Sequence, residues 1–371
     1  MGLRQKLGQL FIVGIAGTEL TEAEIDFLTT NDIGGVILMG RNVKSPEQVH
    51  NLCSSIQMLR HKTRSKSPFF ISIDMEGGRV ARLKEPFTQW PPMSKLGELD
   101  SPSLAFNLAL YMGRELRAVG INLDFSPCVD VLTNPTNKAI GDRSLSADPE
   151  IVAKMSSALV RGFMKSEVIT CAKHFPGHGN TIVDSHEELP IEEATLEQIN
   201  NIELVPFKRA IRSRVDMIMM SHILFKNIDA KYPATLSEEF NKKLLRDELR
   251  FRGLIITDDL DMKALSNNYA TEEIPVRAIE AGSDLLLYCN DPLIPPKSLL
   301  ALENAVSTGR ISLVRIEESL QRIAKLKRES ILTIDPLPWA KVKDQIGHQE
   351  HRKIAKAIED GKIPEGLAQG A

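Results

Sequence analysis

Eight short apolar runs recur along the chain, at residues 11–15, 35–39, 69–74, 121–125, 169–174, 217–222, 254–257 and 285–288. They are rich in Ile, Val, Leu and Met, and most are continuous rather than alternating. A strand that alternates buries one face. A strand that is apolar throughout buries both, as in a parallel sheet covered by helices. Helical patterning fills the gaps between the runs. Thr21 caps a stretch that opens Glu22-Ala23-Glu24, and Ser45-Pro46, Ser101-Pro102 and Asp148-Pro149 each set a capping residue before a proline. Further helical stretches read at 195–213, 237–249, 271–281 and 297–307. Eight strands alternating with helices predict an α/β fold, a single (β/α)8 TIM-type barrel. A doubly wound sheet fits less well, because the count is eight and no Gly-x-Gly-x-x-Gly follows the first run.

At 371 residues the chain is longer than the ~250 of a typical barrel but within the range that one such unit reaches. An amphipathic helix over 311–330 closes the regular pattern, and Asp335-Pro336-Leu337-Pro338 breaks it. We therefore expect a barrel over 1–330 and a C-terminal extension over 331–371, partly helical or disordered, with one helix over 339–358. Lys and Arg total 46 against 49 Asp and Glu, a net charge of -3, which gives no electrostatic case for nucleic acid. The four Cys, at 53, 128, 171 and 289, form no Cys-x-x-Cys pair and read as reduced thiols of a cytoplasmic protein. The first residues hold no apolar leader, and no run is long enough to span a bilayer.

In a barrel, chemistry sits where the strands end. The fifth run leads into Lys173-His174-Phe175-Pro176-Gly177-His178-Gly179-Asn180-Thr181-Ile182-Val183-Asp184-Ser185-His186, a loop with three His, one Lys and one Asp. The third run ends in Asp74-Met75-Glu76-Gly77-Gly78-Arg79-Val80-Ala81-Arg82, which reads as a polar recognition loop. The fourth is followed by Asp124, Asp130 and Gly141-Asp142-Arg143, the sixth by Ser221-His222, and the seventh by Thr257-Asp258-Asp259-Leu260-Asp261. Adjacent Asp at the end of a buried run are costly unless paired or used. Asp184 and His186, two apart, can form a dyad in which the carboxylate fixes the imidazole tautomer. A metal set of His178, His186, Asp184 and His222 is the rival reading. The first run, Phe11-Ile12-Val13-Gly14-Ile15, lacks a His-x-His pair, and no metal is expected.

Lys173–Gly179 followed by Asp184-Ser185-His186 resembles the signature of glycoside hydrolase family 3, in its NagZ-like β-N-acetylglucosaminidase branch. Asp74 to Arg82, Gly141-Asp142-Arg143 and Asp258-Asp259-Leu260 resemble the family's other motifs in the expected order. The resemblance covers about residues 7–327. It implies a retaining exo-β-N-acetylglucosaminidase with Asp258 as nucleophile and His186 as acid/base oriented by Asp184. It implies that Asp74, Arg82, Arg143, Lys173 and His174 bind the sugar, with Arg79 competing with Arg82 for that role. The implied substrate is N-acetylglucosaminyl-anhydromuramic acid, with or without peptide, in cytoplasmic peptidoglycan recycling, with no cofactor and a monomeric enzyme. A phosphorylase or β-glucosidase of the same family is the alternative, and a non-catalytic sugar-binding barrel the reading from another class. Gly177, Gly179 and Asn180 point to a mobile loop, with His186 further from Asp258 than the ~5–5.5 Å of a retaining pair when no sugar is bound.

Overall fold

A computed structural model describes residues 1–185, 187–331 and 336–367. Eight strands close into a parallel barrel: β1 Phe11–Gly14, β2 Gly35–Leu38, β3 Phe70–Ile73, β4 Leu123–Asp124, β5 Ile169–Phe175, β6 Met217–Met220, β7 Leu254–Asp259 and β8 Leu285–Tyr288. Each pairs with its neighbours in chain order, and β1 closes the ring on β8 through Phe11↔Leu286, Ile12↔Leu287 and Val13↔Tyr288. The continuous apolar runs are buried on both faces, as the sequence requires: β2, β3, β5, β6 and β8 are buried at every position. The barrel interior and the layer beneath the helices form one contiguous apolar core.

The expected caps form. Ser45, Ser101 and Asp148 accept backbone N–H bonds from Gln48, Leu104 and Glu150 at helices Pro46–Met58, Pro102–Ala118 and Pro149–Lys165, each with Pro in the first turn. Thr21 and Glu24 form a reciprocal capping box. β4 is shorter than its apolar run, because the Asn122 side chain rather than a longer ladder serves β3. Its Oδ1 accepts the Ile71 N–H (2.9 Å) and its Nδ2 donates to the Phe69 carbonyl (3.0 Å).

Two bulges decide where side chains point. β5 slips against β6 between Ala172 and Phe175, and β7 slips against β8 between Ile256 and Asp259. Both lie at the C-terminal ends of their strands, where an extra residue re-aims the side chains beyond it. The Lys173–His174 and Phe175–Pro176 peptides there are cis. After β8 come helices Ile294–Ser307 and Leu313–Ser330, then Trp339–Val342 and Gln349–Glu359. The single helix expected over 339–358 is thus split, with Gly347 at positive φ (59°) in the break. All four cysteines are free and buried. Among the described residues, no helix is long and apolar enough to cross a membrane.

Candidate active site

Beyond β3, Met75–Gly77 and Val80–Ala81 form a small antiparallel ribbon whose turn needs Gly77 and Gly78 at φ 104° and 55°. The ribbon carries Glu76 into the barrel mouth with only 1% of its side chain exposed. There the Lys173 ammonium from β5 donates to Asp74 (2.8 Å) and Glu76 (2.7 Å). Arg143 grips Glu76 with two N–H bonds, Nε to Oε2 at 2.8 Å and Nη2 to Oε1 at 2.7 Å. Arg82 reaches the other oxygen of Asp74 at 3.3 Å, and its Nε is buried with no hydrogen-bond partner among the described residues. Arg79 turns away: it donates to Asp142 (2.9 Å) and to the carbonyls of Lys138, Ala139 and Ile140 (2.8, 2.7 and 3.1 Å). The structure therefore brings Arg82, not Arg79, to Asp74, and uses Arg79 to hold the loop that bears Arg143.

Asp130, after β4, organises the second half of the cluster. It accepts Nδ1–H of His174 (2.7 Å), the backbone N–H of His178 (2.7 Å) and the Cys128 thiol (3.2 Å). A carboxylate only accepts, so His174 carries its proton on Nδ1 and turns Nε2 toward the Arg143 Nη2 at 3.4 Å. Cys128, Asp130 and His174 are the one metal-like grouping among the described residues, with ligand atoms within 4.8 Å of one another. Mutual hydrogen bonds already account for all three. His178 is buried between Thr181 Oγ1 (2.8 Å) and Ser185 Oγ (3.1 Å). Burial, helped by His174, lowers its pKa to about 4, so it stays neutral and ties the loop to itself. His222 is likewise buried, with Nδ1 at Thr235 Oγ1 (2.8 Å) and Nε2–H donating to the Asp259 carbonyl (3.0 Å).

The charges in this cluster balance. Burial would raise Asp74 and Glu76, but Lys173 with Arg82, and Arg143 with Lys173, outweigh it and hold both below the usual carboxylate range. Asp130 is held low in the same way, chiefly by His174 against its burial. Burial, with some push from Asp74 and Glu76, raises Asp124 well above that range. Three cations face three carboxylates, and a neutral polyol would need no counter-ion. Asp74 and Arg82 have side chains 17% and 30% exposed, so they form the accessible edge, over a buried base of Lys173 and Glu76.

Asp258 and Asp259 end β7. Asp259 braces β7 to β8: Oδ1 accepts the N–H of Cys289 and Asp261 (both 3.1 Å), and Oδ2 accepts from Asn290 (3.2 Å). Its burial raises its pKa to about 7. Asp258 is half-buried, and its Oδ1 accepts the Asp259 N–H (2.8 Å). It shares one electrostatic environment with the sugar-binding candidates. The Cys171 thiol, raised well above its ordinary pKa chiefly by burial, is pulled back by Lys173 and pushed further by Asp258, Asp74 and Asp124. Asp184 is half-buried, and the adjacent Ser185 carbonyl accepts the Ala264 N–H at 3.3 Å, which joins the β5 loop to the β7 loop. His186, and with it the expected spacing from Asp258, lies outside the described residues.

Residues 2–326 match the model of the glycosyl hydrolase family 3 N-terminal domain. The chain belongs to glycosyl hydrolase family 3. It is thereby a glycoside hydrolase, and the polar cluster at the barrel mouth is its candidate active site. Relatives include a β-hexosaminidase of Nitrosomonas eutropha, 37% identical over 86% of this chain and 92% of that one. Among solved structures, a fungal multi-domain family 3 β-N-acetylglucosaminidase superposes with a TM-score of 0.93 at 35% identity; 97% of this chain spans 43% of that longer one. Native NagZ from Neisseria gonorrhoeae superposes with a TM-score of 0.78 at 29% identity, over 96% of this chain and 98% of that one.

Glu76 and Asp130 are the cluster members whose weight the sequence understates. Asp130 carries a faint signal, a charge inside the apolar run Cys128-Val129-Asp130-Val131. Its histidine partners lie 44 and 48 residues away, so local spacing is silent about them.

Proposed function

We propose that this enzyme removes β-linked N-acetylglucosamine from the end of a glycoside with retention of configuration. In this reading Asp258 attacks the anomeric carbon while His186 gives its proton to the departing glycosidic oxygen. A covalent glycosyl-enzyme results. Water then attacks the same carbon, His186 takes its proton, and the Asp258 carboxylate is released. Asp184 orients the imidazole. Asp74 and Arg82 hold hydroxyls at the accessible edge, and Lys173, Arg143 and His174 complete the contacts to hydroxyls and acetamido group. The preferred substrate is N-acetylglucosaminyl-anhydromuramic acid, with or without its peptide, handled by a monomer in the cytoplasm during peptidoglycan recycling.

The observation that carries this reading is that Asp258 ends β7 at the same end of the barrel as the cluster of Asp74, Glu76, Lys173 and Arg82. The β-hexosaminidase relatives supply the sugar. The Ser185–Ala264 hydrogen bond supports it further, because it holds the residue next to position 186 against the β7 loop. The test is Asp258→Asn. It should lower kcat on a nitrophenyl β-N-acetylglucosaminide by about 10³-fold or more and leave product binding intact. A fluorosugar inactivator should label the Asp258 peptide of the wild type. Label on Asp259, or near-wild-type turnover of the variant, overturns the nucleophile. A sugar 1-phosphate as main product in phosphate buffer overturns hydrolysis in favour of phosphorolysis.

A further inference from the structure

The family match ends at residue 326, and the segment beyond it carries no chemistry of its own. One set of contacts made by its last helix nevertheless falls on a single stretch of chain. Helix Gln349–Glu359 buries His351, Ile354, Ala355 and Ile358 and packs on helices Pro102–Ala118 and Met93–Leu99. From the first of these, Glu115 reaches up, 3% exposed. Its Oε1 accepts Nδ1–H of His351 (2.7 Å) and the N–H of Gly347 (3.2 Å) from the C-terminal segment. The same carboxylate accepts the hydroxyl (2.5 Å) and the N–H (2.9 Å) of Thr88. Arg352, on the next position of the helix, donates to the Pro86 carbonyl (2.7 Å) and pairs with Glu85 (3.2 Å). Two fastenings therefore converge on residues 85–88.

Those residues continue the ribbon that carries Glu76 and Arg82. Phe87 and Trp90 are buried, and the Trp90 carbonyl accepts the N–H of Gly78 at 2.8 Å. Pro91 and Pro92 press on the same turn. A Cβ at Gly77 would lie 2.6 Å from the Pro91 carbonyl, and one at Gly78 would lie 3.0 Å from Pro92 Cα. The chain of contact runs from the C-terminal helix through Glu115, Thr88 and Pro86 to Trp90. It then passes to the Gly77-Gly78 turn and the two ends of the ribbon. From there Glu76 holds Lys173 and Arg143, and Arg82 meets Asp74.

We propose that helix Gln349–Glu359 is a strap that positions the β3 loop for sugar binding, with His351 and Arg352 as its positioning residues. Neither touches the site; they act by holding residues 85–92, which hold the Gly77-Gly78 turn. The inference deepens the proposed reading of Asp74 and Arg82 as sugar contacts and rests on it for its kinetic half. A helix that only covers apolar surface would change stability and leave the site alone.

The test compares full-length Arg352→Ala and His351→Phe with Glu359→Ala, which removes the Lys95 ion pair at the far end of the same helix. Arg352 is exposed, so its variant should fold even if His351→Phe does not. The strap predicts a KM for the nitrophenyl β-N-acetylglucosaminide raised about 10-fold in the first two, with kcat within about twofold, and no change in the third. Hydrogen exchange supplies a readout that needs no substrate: peptides spanning 74–82 and 83–92 should exchange faster in the first two variants only. Unchanged exchange over 74–82 overturns the strap. Faster exchange with an unchanged KM overturns its role in sugar binding. If the wild type does not turn over the glycoside, the functional reading fails, and exchange alone decides the strap.

Discussion

Glu76 is enclosed by two cations, and its removal would leave Lys173 and Arg143 in the barrel mouth with one carboxylate fewer. Breaking one partner of a buried ion cluster typically costs about 3–5 kcal/mol, because the remaining charges stay desolvated. Glu76→Gln keeps the shape and loses the charge, so urea denaturation at pH 7 should show a loss of that order. The pH dependence has a definite sign. The folded pKa of Glu76 lies below its unfolded value near 4.3, so its contribution is fully present above that value and is lost as pH falls through and below it. The gap between wild type and variant should therefore be constant from pH 6 to 8 and close as the pH drops below about 4. A gap that widens in acid would show that Glu76 is protonated in the folded protein. Asp258 and Asp259 show the complementary point. Two adjacent carboxylates of one motif have different surroundings, one braced by three donors from Cys289, Asp261 and Asn290, the other half-open to the mouth.

The elements that bear the site are held together by a close backbone approach. A Cβ at Gly179 would lie 1.7 Å from the Val131 carbonyl, and Asn137 Nδ2 donates to the neighbouring His178 carbonyl at 2.7 Å. Gly179→Ala must push the β5 loop off the β4 loop. Such overpacking typically costs about 1–3 kcal/mol. The displaced segment also leads to Asp184, so kcat should fall more than the lower Tm alone explains, measured well below the transition. Retained kcat with a lowered Tm would uncouple this contact from the site. At this scale the sequence is legible where burial is two-sided and opaque where side chains replace backbone. The eight strands announce themselves because most of their runs are apolar on both faces. The early end of β4 does not, since it depends on Asn122 serving β3. The break at Gly347 is hidden for a similar reason: a hydrophobic pattern continues across it, and only the turn conformation separates the two helices. The strand-end motifs located Asp74, Arg143, Lys173 and His174, because a barrel gathers its strand ends in one place. Which Arg meets Asp74, and that Asp130 holds His174, depend on loop paths that no local spacing encodes.

At the scale of the whole molecule, helix Leu313–Ser330 sends one buried cation to the end of the barrel opposite the site. Lys327 is 3% exposed, donates to the Gly34 carbonyl at 2.8 Å and to Gln9 Oε1 at 3.4 Å, and sits 4.7 Å from the centre of the Phe70 ring. Gly34 and Gln9 lie just before β2 and β1, and Phe70 opens β3, so a single ammonium ties the last long helix to the entrances of three strands. Burial lowers its pKa to about 7, with Asp32 offsetting only part of the effect. Here the folded value lies below the unfolded one near 10.4, so the folded protein releases this proton first. Lys327 therefore costs stability at pH 7 and below, and that cost fades as pH rises toward about 10. Lys327→Met fills the same channel without the charge, and the Gly34 carbonyl keeps the Phe70 N–H at 3.1 Å. The variant should be more stable than wild type at pH 6 by about 1–3 kcal/mol, a range consistent with replacing a buried charge by an apolar side chain. Its advantage should shrink steadily between pH 7 and 10, followed by urea denaturation at each pH. Kinetic constants should not move, because Lys327 sits at the starts of the strands and the site at their ends. A variant less stable than wild type at pH 6 would mean that the ammonium's contacts outweigh its desolvation, and that the helix is held by charge rather than in spite of it.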